Sequence, residues 1–271
     1  MFNFLRKDLN IFLIRHGQSI INTGDNIKEG IPVHQVPLTD YGIQDCRNTA
    51  KYLSDYLEYN KIKKRKSSIL YSPYKVTTDT MKIFNEELNI SDIKQEISLI
   101  ERRFGTAETL SWENWCNTYE DESSYFSKYY NNSGKFYAKF SLGDAPYDTA
   151  LRVKQAIDEV LNQYNNSKVR NIFIFTHGIT LRTFVMRFCN YPVEWYENEK
   201  NPDNCAIYHI VYNKKRIIDK GYIHDKKYYL RLVPLKTKGF LKNFLNSFTS
   251  KFSSENLTKK TNFQHIFNKL N

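Results

Sequence analysis

The chain has 271 residues, 41% of them apolar, enough to bury the core of one large α/β domain with or without an appendage. Its net charge of +11 is concentrated at 61–66, at 214–216 and beyond 236, in runs that match no nucleic-acid module, so no nucleic-acid partner is expected. Four cysteines without a Cys-x-x-Cys pair argue against a zinc site or a disulfide scaffold, and no apolar run reaches the roughly 18–20 residues of a bilayer span.

Residues 1–9 carry charges and no signal-peptide core, and the scattered cysteines fit a reducing compartment, so a cytoplasmic location is expected. The apolar run 11–14 reads as a buried strand that ends in Arg15-His16-Gly17. The polar stretch 18–38, with Gly24, Gly30, Pro32 and Pro37, is expected to form a loop over a crevice. Thr39 caps a predicted helix whose apolar face is Ile43, Cys46, Ala50, Leu53 and Leu57. A basic turn at 61–66 leads to a short strand at 67–71, and Ser72-Pro73 is expected to open the next helix.

Residues 93–100 read as a strand that ends at Glu101. The stretch 111–142 is aromatic and polar without clean periodicity, and reads either as an inserted cap of short helices beside the site or as ordinary surface packing. Asp144 is expected to cap a helix with the inner face Val153, Ile157, Val160 and Leu161. The strand 172–175 then passes through His177-Gly178 into a helix at 181–188, and 206–212 and 227–233 read as closing strands. Strands that alternate with helices indicate a mainly parallel sheet covered on both faces.

Beyond Pro234 the composition changes. Phe240, Leu241, Phe244, Leu245, Phe248 and Phe252 form a helical stripe beside Lys238, Lys242 and Lys251. Such a stripe, spanning 238–252, can lie on an anionic membrane surface or pack on the parent domain. Residues 253–271 are expected to be loosely ordered. The domain division is therefore 1–234, with the insertion at about 111–142, and a basic Phe-rich extension at 235–271.

Two imidazoles at the ends of two core strands meet in the crevice where open α/β sheets hold ligands. With Arg15 beside His16, the pattern points to phosphate chemistry on histidine. Phosphoryl transfer to an imidazole needs a neutral nitrogen aimed at phosphorus, with the other nitrogen donating to a fixed acceptor. A backbone carbonyl at the strand end suits His16, and Gly17 lets the backbone approach a ligand. Arg15 supplies a planar fork for two phosphate oxygens, and His177 grips another. Glu101, at a third strand end, is placed to protonate the leaving oxygen.

Six stretches together resemble the histidine phosphatase superfamily, which has the phosphoglycerate mutase-like fold. They are Arg15 to Asn22, Pro37 to Gly42, Ser72-Pro73-Tyr74 with Thr77 and Thr80, Glu101 to Gly105, Thr176 to Arg182, and Asn201 to Cys205. The similarity runs from about residue 10 to 233. It implies a three-layer α/β sandwich with a mainly parallel central sheet and a helical insertion over the site. It further implies a phosphohistidine on His16, Arg15 and His177 in the phosphate pocket, Glu101 as proton donor, and substrate contacts from Asn22, Gln18 and Arg102. No metal or cofactor is implied. His34, His209, His224 and His265 match no motif and are taken as structural or exposed.

The chain departs from the family in one place. The segment that usually reads Ser-Pro-x-x-Arg has Val76 where the second phosphate-binding arginine stands, preceded by Lys75. Adjacent helical positions point about 100° apart, so Lys75 does not inherit the direction. Arg102, or Lys135 and Lys139 from the insertion, are the candidates to compensate. Losing one charge-assisted bond to the transition state costs about 2–4 kcal/mol, roughly 30- to 1000-fold in rate. Residues 135–140 followed by Asp144 are similar to the stretch that fungal and plant members carry as Arg-Phe…Gly-Glu-Ser, which favours the phosphatase branch. The expected activity is thus a metal-independent phosphomonoesterase acting on a small phosphorylated substrate. The alternatives are a weak or inactive member that binds a phospho-ligand or partner, and a phosphoglycerate mutase. Substrate choice is expected to lie in the insertion.

Overall fold

The computed structural model describes residues 8–23, 31–108, 110–213, 216–224 and 227–229. These lie within a compact unit, Met1–Arg231, and among them a sheet of seven strands is ordered β3-β2-β4-β1-β5-β6-β7. The strands are β1 (Leu9–Arg15), β2 (Ser67–Tyr71), β3 (Ile93–Gln95), β4 (Asn171–Thr176), β5 (Ile207–Asn213), β6 (Arg216–His224) and β7 (Lys227–Tyr229). The first four are mutually parallel, and β5 to β7 continue the sheet antiparallel from the free side of β1.

Side-chain alternation on β1 divides the core into two layers. Phe12 and Ile14 point to one face, where they pack with Cys46, Ala50, Leu53 and Leu57 of α1 (Asp40–Tyr59) and Met81, Phe84 and Leu88 of α2 (Lys75–Leu88). Leu9, Ile11 and Leu13 point to the other, against Val153, Ala156 and Val160 of α5 (Pro146–Asn166) and Leu181 and Phe184 of α6 (Gly178–Phe188). This is the expected three-layer α/β arrangement. His209, on β5, is also buried: its ring stacks on Phe12 at 4.2 Å, and its nitrogens lie 3.2 Å from Tyr56 Oη and 3.0 Å from Asn10 Oδ1.

Several elements depart from the sequence reading. The strand expected at 93–100 stops at Gln95, because Glu96 accepts from Ser98 N–H and turns the chain into a 3-10 helix, Ile97–Leu99. The helix expected to open at Ser72-Pro73 begins at Lys75, with Tyr74 as its N-cap. Asp144 is not the cap of α5; Ala145 holds that position, its N–H donating to Asp148 Oδ2 at 2.8 Å, and Pro146 starts the helix. On α5, Ala156 and Tyr164 are buried with Val153 and Val160, whereas Ile157 and Leu161 are half-buried. The helix after His177 starts at Gly178 rather than 181, and β6 was not anticipated.

The insertion is helical, with α3 (Trp112–Thr118) and α4 (Glu120–Ser133). Trp115, Phe126, Ala138 and Phe140 form its own small core. Trp115 Nε1 donates to Thr106 Oγ1 at 3.0 Å, and that hydroxyl donates to Glu122 Oε2 at 3.0 Å, which fastens the insertion to the loop following Glu101. The last helix among the described residues, α7 (Val193–Asn198), precedes β5.

Residues 24–30 of the expected crevice loop, 230–233 of the last expected strand, and the extension 235–271 with the 238–252 stripe and His265 lie outside the described residues. Among the described residues no helix is long and apolar enough to cross a membrane.

Candidate active site

The site follows from the register of two parallel strands. Arg15 pairs with Thr176 across β1 and β4, so the next residue on each strand emerges at the same height on the same edge. Those residues are His16 and His177. Their ring centroids are 5.3 Å apart at an interplanar angle of 63°, and both rings are buried, 7% and 2% exposed.

His16 Nδ1 lies 2.7 Å from the carbonyl oxygen of Gly17. A carbonyl only accepts, so Nδ1 carries the proton of the neutral ring and Nε2 keeps a lone pair. Burial, then His177 and Arg15, hold His16 at about 3, far below its ordinary 6.5. His177 is likewise lowered to about 3 by burial, then by Arg15 and Arg152. Both rings are therefore neutral near pH 7. Gly17 is required by close packing: a Cβ there would stand 2.5 Å from Cys46 Sγ and 2.9 Å from the Gly42 carbonyl oxygen.

Arg15 is anchored by a bond from Nη1 to the Pro202 carbonyl. Asn22 Oδ1 accepts from Ser19 N–H, Ser19 Oγ and Asn204 Nδ2 at 3.1 Å each. That leaves the Asn22 Nδ2 hydrogens as what this side chain offers a ligand. Asn204 Nδ2 also reaches the His16 carbonyl at 3.2 Å, so Asn22 is tied to the His16 backbone. Gln18 Oε1 accepts from Thr39 Oγ1 at 2.9 Å, which fastens that side chain to the start of α1.

Glu101 lies at the N-terminus of α6, directly beyond His177. Oε1 accepts from Arg102 N–H (2.9 Å) and Thr180 N–H (3.1 Å), and Oε2 from Ile179 N–H (3.1 Å); the Thr180 hydroxyl lies between Oε1 (3.0 Å) and the Ile100 carbonyl (2.8 Å), with one hydrogen for the two. It thus serves as the cap of a helix that has no side-chain cap from its own first residues.

The cations proposed to replace the missing arginine are held elsewhere. Arg102 is buried between Phe104 and Phe140, 5.3 and 4.8 Å from their centroids, and donates to the carbonyls of Asp144 and Ala138. These rings and carbonyls pack its guanidinium against the insertion. Lys135 donates to the Glu197 carbonyl at 3.3 Å, and Lys139 lies 3.7 Å from Asp148. Lys75 pairs with Asp79 at 2.7 Å on the exposed side of α2, while Val76 is buried in the core at 5% exposure.

Sequence reasoning missed Arg152. It donates through Nη2 to the carbonyls of Ile100 (3.1 Å) and Glu101 (3.3 Å), and through Nη1 to Asp144 Oδ2 (3.3 Å). Asp144 also pairs with Arg103 at 2.9 Å. Burial works to raise the Asp144 carboxyl, but the bonds and charge of Arg103, then Arg152, outweigh it and hold the group below its ordinary value. Because Arg103 is largely exposed, Asp144→Ala is expected to cost only about 2 kcal/mol in urea unfolding at pH 7, less than a fully buried pair would. An unchanged midpoint would remove this brace from the account. Tyr74, which the sequence reading named only within the Ser72-Pro73-Tyr74 stretch, also borders the site: its ring packs edge-on to His177 at 5.1 Å and lies 6.3 Å from the exposed ring of His34.

The sequence model of the histidine phosphatase superfamily (branch 1) matches residues 11–220. The chain belongs to that superfamily. The Arabidopsis thaliana phosphoglycerate mutase-like protein AT74 is 23% identical over 208 residues, which cover 73% of this chain and 63% of that protein's length. A mycobacterial glucosyl-3-phosphoglycerate phosphatase complexed with VO3 superposes with a TM-score of 0.59 at 15% identity, over 74% of this chain and 92% of its own. The α-ribazole phosphatase of Shigella flexneri gives 0.60 at 20% identity, over 85% and 98%. Superfamily membership agrees with the resemblance carried by Arg15-His16-Gly17 and His177-Gly178, and the superpositions show a shared fold.

Proposed function

We propose that this chain is a metal-independent phosphomonoesterase that works through a phosphohistidine on His16. The observation that carries the reading is the buried His16–His177 pair, 5.3 Å apart, with the His16 Nε2 lone pair set by the Gly17 carbonyl. In the first step Nε2 attacks phosphorus and the bond to the ester oxygen breaks. The leaving oxygen takes a proton from Glu101. Oε2 is the atom suited to deliver it, since Oε1 receives two backbone N–H bonds and Oε2 one. In the second step water attacks the phosphorus, the P–N bond breaks, and Glu101 recovers a proton as inorganic phosphate forms. Arg15, with Asn22 at the rim, balances charge on the equatorial oxygens.

The test is brief exposure of the purified chain to p-nitrophenyl phosphate with and without a chelator, followed by mass spectrometry. Chelator-resistant turnover and an acid-labile adduct of ~80 Da on His16 are expected. A folded chain that yields neither product nor adduct from any phosphate ester overturns the reading.

One observation favours a second reading, a weakened or non-catalytic member that binds a phospho-ligand. Position 76 offers no cation, and Lys75 is engaged by Asp79. Val76→Arg separates the two. For a weakened enzyme it is expected to raise kcat/KM by roughly 30-fold or more. A folded variant that binds phosphate but gains no turnover supports the ligand-binding reading.

A further inference from the structure

Ser72 and His177 are brought together across 105 residues of sequence. Ser72 follows β2, with its N–H bonded to the Phe175 carbonyl at 3.0 Å, and its Oγ lies 2.8 Å from His177 Nε2. Both side chains are buried, at 0% and 2% exposure. The same Oγ accepts from Tyr74 N–H at 3.4 Å.

These contacts constrain where protons lie. A serine hydroxyl has one hydrogen and two lone pairs. Tyr74 N–H faces one lone pair, and among the described residues His177 Nε2 is the acceptor in reach of the hydrogen. If Nε2 carried a proton of its own, the Ser72 hydrogen would be left buried without an acceptor, at a cost of about 1–3 kcal/mol. The satisfied arrangement has Ser72 donating to Nε2. The proton of the neutral ring then sits on Nδ1.

We propose that Ser72 is a positioning residue that fixes neutral His177 as its Nδ1–H tautomer, so that the ring offers the phosphoryl oxygens a hydrogen-bond donor. The two histidines then share one tautomer and present opposite edges. On His16 the Gly17 carbonyl occupies Nδ1–H and the Nε2 lone pair remains for attack. On His177 the Ser72 hydroxyl occupies the Nε2 lone pair and Nδ1–H remains for gripping. His177 need not become charged to hold an anion, which agrees with burial and the nearby guanidinium groups keeping it neutral. The donor's role rests on the phosphatase reading, whereas the tautomer itself does not.

The test is a long-range 1H–15N correlation spectrum of the full chain labelled with 15N-histidine, at pH 7 and without substrate. His177→Gln identifies the ring's signals by their loss. A protonated Nδ1 and an unprotonated Nε2 on His177 are expected, and Nε2–H overturns the proposal whatever the variants do. In Ser72→Ala the Nδ1–H population is expected to fall and the affinity for inorganic phosphate to weaken about tenfold, with Ser72→Thr restoring both. A folded Ser72→Ala with unchanged tautomer and phosphate affinity also overturns it. A wild type with the expected tautomer and phosphate binding, but no ester turnover, keeps this inference and removes the phosphatase reading. An active enzyme with Nε2–H on His177 does the reverse.

Discussion

Replacing His16 with alanine is expected to abolish both phosphate-ester turnover and the acid-labile adduct, lowering kcat by roughly 10⁴-fold or more. On the proposed mechanism the size follows from losing the attacking atom itself, not a contact around it. His16→Ala leaves Arg15 and its Pro202 anchor in place, along with the Ser72–His177 pair, so inorganic phosphate still binds. By contrast, on the same mechanism His177→Ala takes away one donor to the transition state and is expected to cost about 10²- to 10³-fold. The order of the two effects is the informative part. Steady-state kinetics of both variants, with melting curves to confirm folding, measure it. If His177→Ala is the more damaging, or if the adduct survives in His16→Ala, the nucleophile has been placed on the wrong ring.

The second large effect is on stability in mild acid. His16, His177 and His209 are each held at about 3 in the folded chain, chiefly by burial, against an ordinary value of 6.5. Between those values the unfolded chain binds protons that the folded chain refuses, so stability is intact above pH 6.5 and is lost as pH falls toward 3. Each such proton is worth about 1.4 kcal/mol per pH unit. His177 is among the causes that lower His16, so the pair contributes somewhat less than two independent rings. A slope of two to three protons, roughly 3–4 kcal/mol per pH unit below pH 6, is expected. For a domain at the low end of the typical stability range of about 5–15 kcal/mol, this brings unfolding to around pH 4–5. Urea unfolding at a series of pH values gives the slope directly, and His209→Gln is expected to lower it by about one proton. Stability that stays level from pH 7 to 5 would show that these rings are not held neutral.

The sequence revealed the site's frame and left its wiring hidden, for identifiable reasons. The β2 span Ser67–Tyr71 and the Thr39 cap were both legible, because short apolar runs and cap residues act through neighbours in sequence. The pairing of His16 with His177 was legible because both end strands that a parallel sheet places side by side. Ser72 and Asp144 were misread as helix caps. Each has a cap residue's chemistry, but Ser72 turns to His177, 105 residues on, and Asp144 to Arg103, 41 residues back, and to Arg152 on the following helix. Arg102 and Arg103 occupy irregular backbone, where no period fixes direction; one turns into the aromatic insertion and the other to Asp144. Arg152 carried a usable signal, since it stands one turn and a half into a helix that begins beside Asp144.

The strand order has a consequence for how this protein is made. β1 is synthesised well before its two neighbours, β4 and β5, which begin at residues 171 and 207. At about 5–20 residues per second, the run Leu9–Arg15 waits roughly 10–40 s with both edges unpaired. Such a long-range closure is slow, and it leaves an apolar edge open to stray pairing in the nascent chain. The His16 ring therefore meets His177 only after about 160 further residues have been joined to the chain.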